Sequence, residues 1–402
     1  MPGTGWPHFT DEEAEAVSRV LLSNKVNYWT GEECRKFEAE FAEFAGTRYA
    51  IALANGTVAL DLGLHGLRIG SRNGGSDADE VLVTPRTFIA SVSAVINAGA
   101  KPVFAEVDRD TGNIDPGKLG DKVSAATRAV ICVHLGGWPC DMDAIRAAVG
   151  TGVSLIEDCA QAHGALYKGR PVGSLGDVAA WSFCQDKIMT TGGEGGMVTC
   201  DDEDLWRRMW SFKDHGKSYE AVYERDHPPG FRWLHDDIGT NWRMTEMAAV
   251  LGRIQLGRME GWTAQRTANA RAIEQALLPY AGDRGILRLP EPRCAGCDCD
   301  RRNESHCRHA YYRYVANVRP DNLPSGMTRD SLVADLRAQG FSCMQGTCSE
   351  VYLEKAFDGT GFRPHERLPV ARELGETSVT FLVHPGLEIP RFEIRTSQPA
   401  HG

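Results

Sequence analysis

A lysine followed by a run of glycines is the first feature with chemistry in it. In WSFCQDKIMTTGGEGGMVTCDD, from Trp181 to Asp202, Lys187 precedes Gly192, Gly193, Gly195 and Gly196. WSF reads as the end of a buried strand and MVTC as another short strand. Glycines at this density let the backbone turn left-handed or approach a ligand closely. A lysine beside such a loop can hold a phosphate, form an imine with a carbonyl, or point at water. The order is wrong for a P-loop, which needs its lysine after the glycines, and no GxGxxG follows the first strand. ATP and dinucleotides therefore lose support.

Three other segments carry polar residues between a strand and a helix. In ALANGTVALDL, Asn55, Gly56 and Thr57 open a helix whose free N–H groups make a phosphate cradle, or else simply a cap. In LIEDCAQAHG, Asp158 ends an apolar strand, where a carboxylate is costly unless paired. Its alternatives are a helix cap or a structural ion pair. In GTNWRM, Asn241 and Arg243 precede a long helix and read, in isolation, as a cap and a surface charge. Together, a strand-end Asp, an imine-capable Lys and a phosphate cradle are what pyridoxal phosphate needs. Ligands of open parallel sheets bind at the carboxyl ends of strands, where these residues fall.

The elements that must position them follow from periodicity. Asp11 to Leu22 reads as a helix after Thr10, with acids in its first turn. A second amphipathic helix, ECRKFEAEFAEFA, is closed by Gly46. From residue 49 to about 200, apolar strands alternate with helices, which predicts βαβ units and a mostly parallel sheet buried on both faces. From MTEMAAVLGRIQL onward one long helix is expected, broken near Gly261, followed by an α+β unit with HAYYRYVANV as strand, RDSLVADLRAQG as helix and ETSVTFLVHP as strand. The expected division is a large domain over 1–250, a small domain over 251–387 and an atypical tail over 388–402. The aromatic-rich insertion at 215–237 has the length of a functional loop.

At this point the chain resembles the DegT/DnrJ/StrS family of sugar aminotransferases, within the fold-type I pyridoxal phosphate enzymes. The resemblance runs from about residue 5 to 387 through ordered motifs: NYWTGEE, ANGTVAL, TPRTFIAS, PVFAEVDRDTGNIDP, VHLGGWPCDMDAI, EDCAQAHGA, WSFCQDKIMTTGGEGGMV, GTNWRMTEMAAVLGRIQL and ELGETSVTFLVHP. It implies that Lys187 is the Schiff-base lysine and proton shuttle, and that Asp158 pairs with the pyridine nitrogen. Gln161 is implied at the cofactor's phenolic oxygen and Phe88 on its ring face. Gly56, Thr57 and Ser182 are implied at the phosphate. Asn241 is implied at the phosphate of a partner subunit, which makes the active unit a homodimer. His163, His309 and Trp29 are substrate-side candidates, with a structural role the alternative for each histidine. Trp138, Tyr219, Tyr223, Phe231 and Trp233 offer further faces for a sugar, or pack their loops.

The implied reaction moves an amino group from L-glutamate or L-glutamine to a keto-sugar, a nucleotide-linked deoxysugar or an aminocyclitol precursor. Two other outcomes share the scaffold: elimination chemistry, and a cofactor-binding regulator without turnover. The presence of Lys187 favours transamination over elimination. No basic helix-turn-helix segment supports a regulator.

Composition and charge exclude some partner classes. The formal charge is −10 with no long basic run, so nucleic acid and acidic membranes are poor partners. No signal-peptide pattern and no apolar run near the ~20 residues of a membrane span occur, so a soluble, cytoplasmic protein is expected. Most of the 12 cysteines are scattered and read as reduced thiols. Cys294, Cys297, Cys299 and Cys307 cluster in RCAGCDCDRRNESHCRH, but their spacing matches no standard zinc finger or ribbon, and no metal is expected. After HPGL, where the family leads one to expect a closing helix, the chain reads EIPRFEIRTSQPAHG.

Overall fold

The computed structural model describes residues 5–290, 306–346 and 348–390. The chain begins with helices α1 (Asp11–Leu22) and α2 (Glu33–Ala45). It then alternates through β1 (Tyr49–Leu53), α3 (Gly56–Gly66), β2 (Glu80–Val83), α4 (Ala90–Asn97), β3 (Lys101–Phe104), α5 (Pro116–Leu119), β4 (Thr127–Val133), α6 (Met142–Val149) and β5 (Ser154–Asp158). A hairpin of β6 (Leu166–Tyr167) and β7 (Arg170–Pro171) precedes β8 (Val178–Ser182), β9 (Gly196–Cys200), α7 (Glu203–Lys213) and α8 (Tyr219–Tyr223). Helices α9 (Glu246–Leu256) and α10 (Met259–Leu277) lead to β10 (Leu287–Arg288), β11 (Arg313–Val318), α11 (Arg329–Ala338), β12 (Cys343–Gln345), α12 (Pro369–Thr377) and β13 (Ser378–Leu382).

Seven strands form the large sheet in the order β1-β9-β8-β5-β4-β2-β3. The pairs among β3, β2, β4, β5 and β8 are parallel, and β9 alone runs against its neighbours. Leu155, Ile156, Val130 and Ile131 are fully enclosed because helices cover both faces, which is why these strands are continuously apolar. The small sheet, β10-β11-β13-β12, is antiparallel throughout. Its core joins Tyr314, Ala316 and Phe381 to Leu332 and Leu336 of α11 and to Ile273 and Leu277 of α10.

Helices α1 and α2 have the bounds the periodicity predicts. In α2, Cys34, Phe37, Phe41 and Ala45 are buried on one stripe, and Gly46 caps it at φ 69°, a left-handed angle that suits glycine. The Thr10 N–H donates to Glu13 Oε2 at 2.7 Å, tying down the start of α1.

Two expectations need correction. The long helix breaks at Gly257–Arg258, not near Gly261, which lies inside α10. The break leaves α9 against α1 and α2, with Arg258 paired to Glu12 and Glu13, while α10 turns towards the small sheet. The segment ETSVTFLVHP is not all strand: Glu376 and Thr377 finish α12, which starts on Pro369 and buries Ala371 and Leu374. Cys294, Cys297 and Cys299 lie outside the described residues, as does the tail from 391. Cys307 is buried, its Sγ accepting the Lys168 N–H at 3.3 Å. No helix among the described residues is long and apolar enough to cross a membrane.

Candidate active site

The carboxyl ends of β5 and β8 and the amino end of α3 open onto one pocket of about 830 Å³. Asn55 caps α3 by accepting the Val58 N–H at 3.0 Å. The first N–H groups of a helix have no partner within it, so those of Gly56 and Thr57 are available to an anion. Ser182, at the end of β8, stands directly behind. A Cβ on Gly56 would lie 2.5 Å from the Ser182 Cβ, so only glycine lets the two elements meet this closely.

Asp158 ends β5 and is 8% exposed. Its Oδ2 accepts from the Ser91 hydroxyl at 2.7 Å and its Oδ1 from the Ala160 N–H at 3.1 Å. Ser91 is itself 2.7 Å from the Thr87 hydroxyl. A buried carboxylate is thus fixed with its charge facing the pocket. Gln161 Oε1 accepts the Gly136 N–H at 2.7 Å, which leaves its amide NH2 as the donor. Phe88 lines the same pocket and is 67% exposed, a large ring held open to it.

Lys187 sits in the turn after β8, its N–H bonded to Cys184 O at 3.0 Å. The Trp6 indole donates to Lys187 O at 2.6 Å. Gly192 and Gly193 take φ of 89° and 122°, so the loop bends as the glycine run predicts. The Lys187 Nζ lies 3.5 Å from Asp186 and 5.3 Å from the centre of the Tyr312 ring. Burial alone would raise the Asp186 carboxyl, but Lys187, the Tyr312 hydroxyl and Arg313 outweigh it and hold it below its ordinary value.

The pocket therefore gathers Lys187, Asp158, Gly56, Thr57, Phe88, Gln161 and Ser182 in one lining. Other predicted residues lie elsewhere in this chain. His163 is enclosed between Trp181 and Phe183, with its pKa depressed by burial to about 3, so it is neutral and not on the pocket wall. His309 stacks on Tyr311 and lines a neighbouring cavity with Trp138. Trp29 donates to Asp214 at 3.3 Å, on the surface that also carries Arg243, 2.7 Å from Asp214, and the exposed Asn241. Tyr219 packs on Trp206 and Trp210, and Tyr223 on Trp210, whereas Phe231 and Trp233 pair with each other in the open.

Sequence reading misses Ser91 and Thr87, which hold Asp158. Their spacing of four across the start of α4 is the signal that could find them. It also misses the residues that the small sheet and its loops bring to the pocket: Tyr312, Arg313, Met344, Cys348 and Thr380. Spacing along the chain carries no sign of these. A buried trio, His134, Glu157 and Cys159, has metal-ligand types. There, His134 Nε2 meets Glu157 at 3.0 Å, and Glu157 also accepts N–H bonds from Gly173, Leu175 and Gly176, so the carboxylate is already satisfied.

A family profile, the DegT/DnrJ/EryC1/StrS aminotransferase family, matches residues 7–391. The chain belongs to this family. The dTDP-3-amino-3,4,6-trideoxy-alpha-D-glucose transaminase of Streptomyces venezuelae is 34% identical over 382 residues, which cover 94% of this chain and 89% of the relative. A solved aminotransferase from Psychrobacter cryohalolentis aligns with a TM-score of 0.90 at 59% identity, over 96% of this chain and 95% of that one. The structure of S. venezuelae DesV in complex with a ketimine intermediate aligns with a TM-score of 0.78 at 32% identity, over 94% of this chain and 90% of the other.

The protein is accordingly a sugar aminotransferase with the fold-type I architecture, and its cofactor is pyridoxal phosphate. The residues present fit that group. The α3 N-terminus and Ser182 suit a phosphate, a buried carboxylate suits a protonated ring nitrogen, and an amine on the pocket wall suits an aldehyde.

Proposed function

We propose that this protein transfers an amino group from L-glutamate or L-glutamine to a keto-sugar, a nucleotide-linked deoxysugar or an aminocyclitol precursor. The observation that carries the reading is the meeting of an amine, a buried carboxylate and a helix N-terminus around one pocket. Pyridoxal phosphate, when bound, supplies an aldehyde carbon that condenses with amines and a ring that withdraws electrons from the carbon beside it.

The chain's own residues do the rest. Lys187 would hold the group through Nζ, and the same amine, once freed, takes a proton from the substrate carbon and returns it. Asp158 would hold the ring nitrogen, its orientation kept by Ser91 and Ala160. Gln161 would donate through Nε2 to the phenolic oxygen, and Phe88 would cover the ring. Gly56, Thr57 and Ser182 would bind the phosphate. Tyr312, Arg313, Met344, Cys348 and Thr380 complete the pocket lining.

The working unit in this reading is a homodimer. Asn241 is exposed beside a polar cluster in which Asp214 engages Trp29, Lys217 and Arg243, and from there it would reach the partner's phosphate. The nucleotide-sugar acceptor is supported by the name of the S. venezuelae relative. A cytoplasmic location is supported by the described cysteines, all free thiols.

The test is the visible spectrum of the protein with pyridoxal phosphate, before and after L-glutamate or L-glutamine, beside Lys187→Ala. A yellow band that bleaches with donor in the wild type, and is missing from the variant until an amine is supplied, is the expected result. A folded protein without the band, or a variant that turns over like the wild type, would overturn the role given to Lys187.

A further inference from the structure

Arg86 leaves β2 in the loop that also sends Thr87 and Phe88 to the pocket. Its side chain is 2% exposed, and neither Nε nor Nη1 has a hydrogen-bond partner. A guanidinium stripped of water and left unpaired is costly, because desolvation is not offset. Burial lowers its pKa to about 10, with Cys348 and Glu350 pulling the other way, so it remains a cation at neutral pH.

Nearby carboxylates are engaged with other cations. Glu350 is paired with Arg367, Asp110 with Arg288 at 2.9 Å, and Glu373 with Arg109 at 2.7 Å. Glu274, also on the cavity wall, has an interaction of its own.

Arg86 lines a cavity of about 60 Å³ that adjoins the Lys187 pocket. Arg313 stands on both walls. Gly136, on the cavity side, donates to Gln161 on the pocket side at 2.7 Å. Cys348, on the pocket wall, feels the charge of both Arg86 and Lys187. A water needs about 10–15 Å³ of such space, so the cavity has room for a carboxylate group and not for a sugar ring.

We propose that Arg86 anchors a carboxylate of the substrate, which enters this cavity while the body of the molecule lies over Lys187. The proposal rests on the reading of Lys187 as the reacting amine. A guanidinium fork takes two carboxylate oxygens in one geometry. Fixing one end of the substrate sets which carbon faces the Lys187 Nζ, which makes Arg86 a positioning residue. Two sources carry this chemistry: the amino-acid donor, and a keto-sugar acceptor that bears an acid group.

Arg86→Met and Arg86→Lys, prepared as cofactor-loaded enzymes, separate them. The donor half-reaction is followed by the visible spectrum with L-glutamate and L-glutamine. The acceptor half-reaction is followed from the aminated enzyme with a keto-sugar and with its carboxylated counterpart. Loss of one charge-assisted pair predicts a fall of about 10- to 100-fold in kcat/KM, mostly through KM. A fall with the amino acids assigns the anchor to the donor. A fall confined to the carboxylated sugar assigns it to the acceptor. Arg86→Lys keeps the charge without the fork and should lose less in the same arm.

Melting of the loaded proteins without substrate supplies a second readout. Removing a buried cation whose Nε and Nη1 make no hydrogen bond should leave the melting temperature of Arg86→Met equal to the wild type or higher. Both half-reactions unchanged, an equal loss with and without a carboxylate, or a Met variant that melts lower with unchanged substrate response would overturn the anchor. The Lys187→Ala spectrum judges the underlying reading separately, since it does not depend on Arg86.

Discussion

Replacing Gly56 with alanine sets two effects against each other at the phosphate cradle. Helix propensity favours alanine over glycine by up to about 1 kcal/mol. Sterics oppose it, because the new Cβ would lie 2.5 Å from the Ser182 Cβ and 3.0 Å from its Cα and Oγ. Carbon pairs rest at about 3.5–4.0 Å, so the start of α3 and the end of β8 must part by about 1 Å or more. Overpacking of this kind costs about 1–3 kcal/mol, so sterics win and the melting temperature falls.

The same displacement stretches a hydrogen bond of about 2.9 Å to about 3.9 Å, outside bonding range. Losing one or two bonds to a charged group, at about 1.5–3 kcal/mol each, lowers affinity for pyridoxal phosphate about 10- to 10,000-fold. The assay is titration of the apoprotein with pyridoxal phosphate, read by quenching of protein fluorescence, together with thermal melting. The double variant Gly56→Ala/Ser182→Gly removes most of the clash. It should recover melting temperature but not affinity, because the hydroxyl is gone. Wild-type affinity in Gly56→Ala, with a melting temperature unchanged or raised, would refute the argument that this junction is closed against a side chain to hold a phosphate.

If the two subunits share their sites, mixing inactive Lys187→Ala and Asn241→Ala chains restores activity, since each mixed dimer holds one intact site. Random exchange then gives about a quarter of wild-type activity, and no recovery after verified exchange would remove Asn241 from the partner's site. The acid limb of stability should depend on Glu13. Burial alone would raise its carboxyl, but hydrogen bonds from Gln255, Thr10 and Arg258 bring it below the ordinary value. A depressed carboxyl contributes stability that is complete above the unfolded pKa of about 4.3 and is lost as pH falls through the lower folded value. Glu13→Gln should therefore flatten the fall of denaturation midpoints below about pH 4.5, and an unchanged slope would show that other carboxylates govern it.

Local patterns in the sequence were sufficient for most of what depends on neighbours along the chain. The periodicity of α1 and α2, the Gly46 cap and the alternation through β5 were legible because a helix stripe or a buried strand is written in consecutive residues. That Asp158, Gly56, Thr57 and Ser182 would line one pocket was legible too, because each stands where a strand ends or a helix begins, and Lys187 was legible from the glycine run beside it. The break between α9 and α10 was misread, since Gly257 and Gly261 look alike until α1 and the small sheet pull the two helices in different directions. Helix α12 was missed because it runs into β13 without a turn to mark the change.

Only the tertiary structure decided what surrounds the site. His163 has the residue type of a substrate contact, yet it is walled in by Trp181 and Phe183. Tyr312 and Cys348 have no motif, yet the small sheet carries them to Lys187 across more than a hundred residues of chain. Arg86 reads as one more loop arginine until folding buries its side chain with Nε and Nη1 lacking a hydrogen-bond partner among the described residues. The chain's order specifies which groups are available. Burial and distance, which arise when elements far apart in sequence pack together, decide which of them are charged, accessible and within reach of one another.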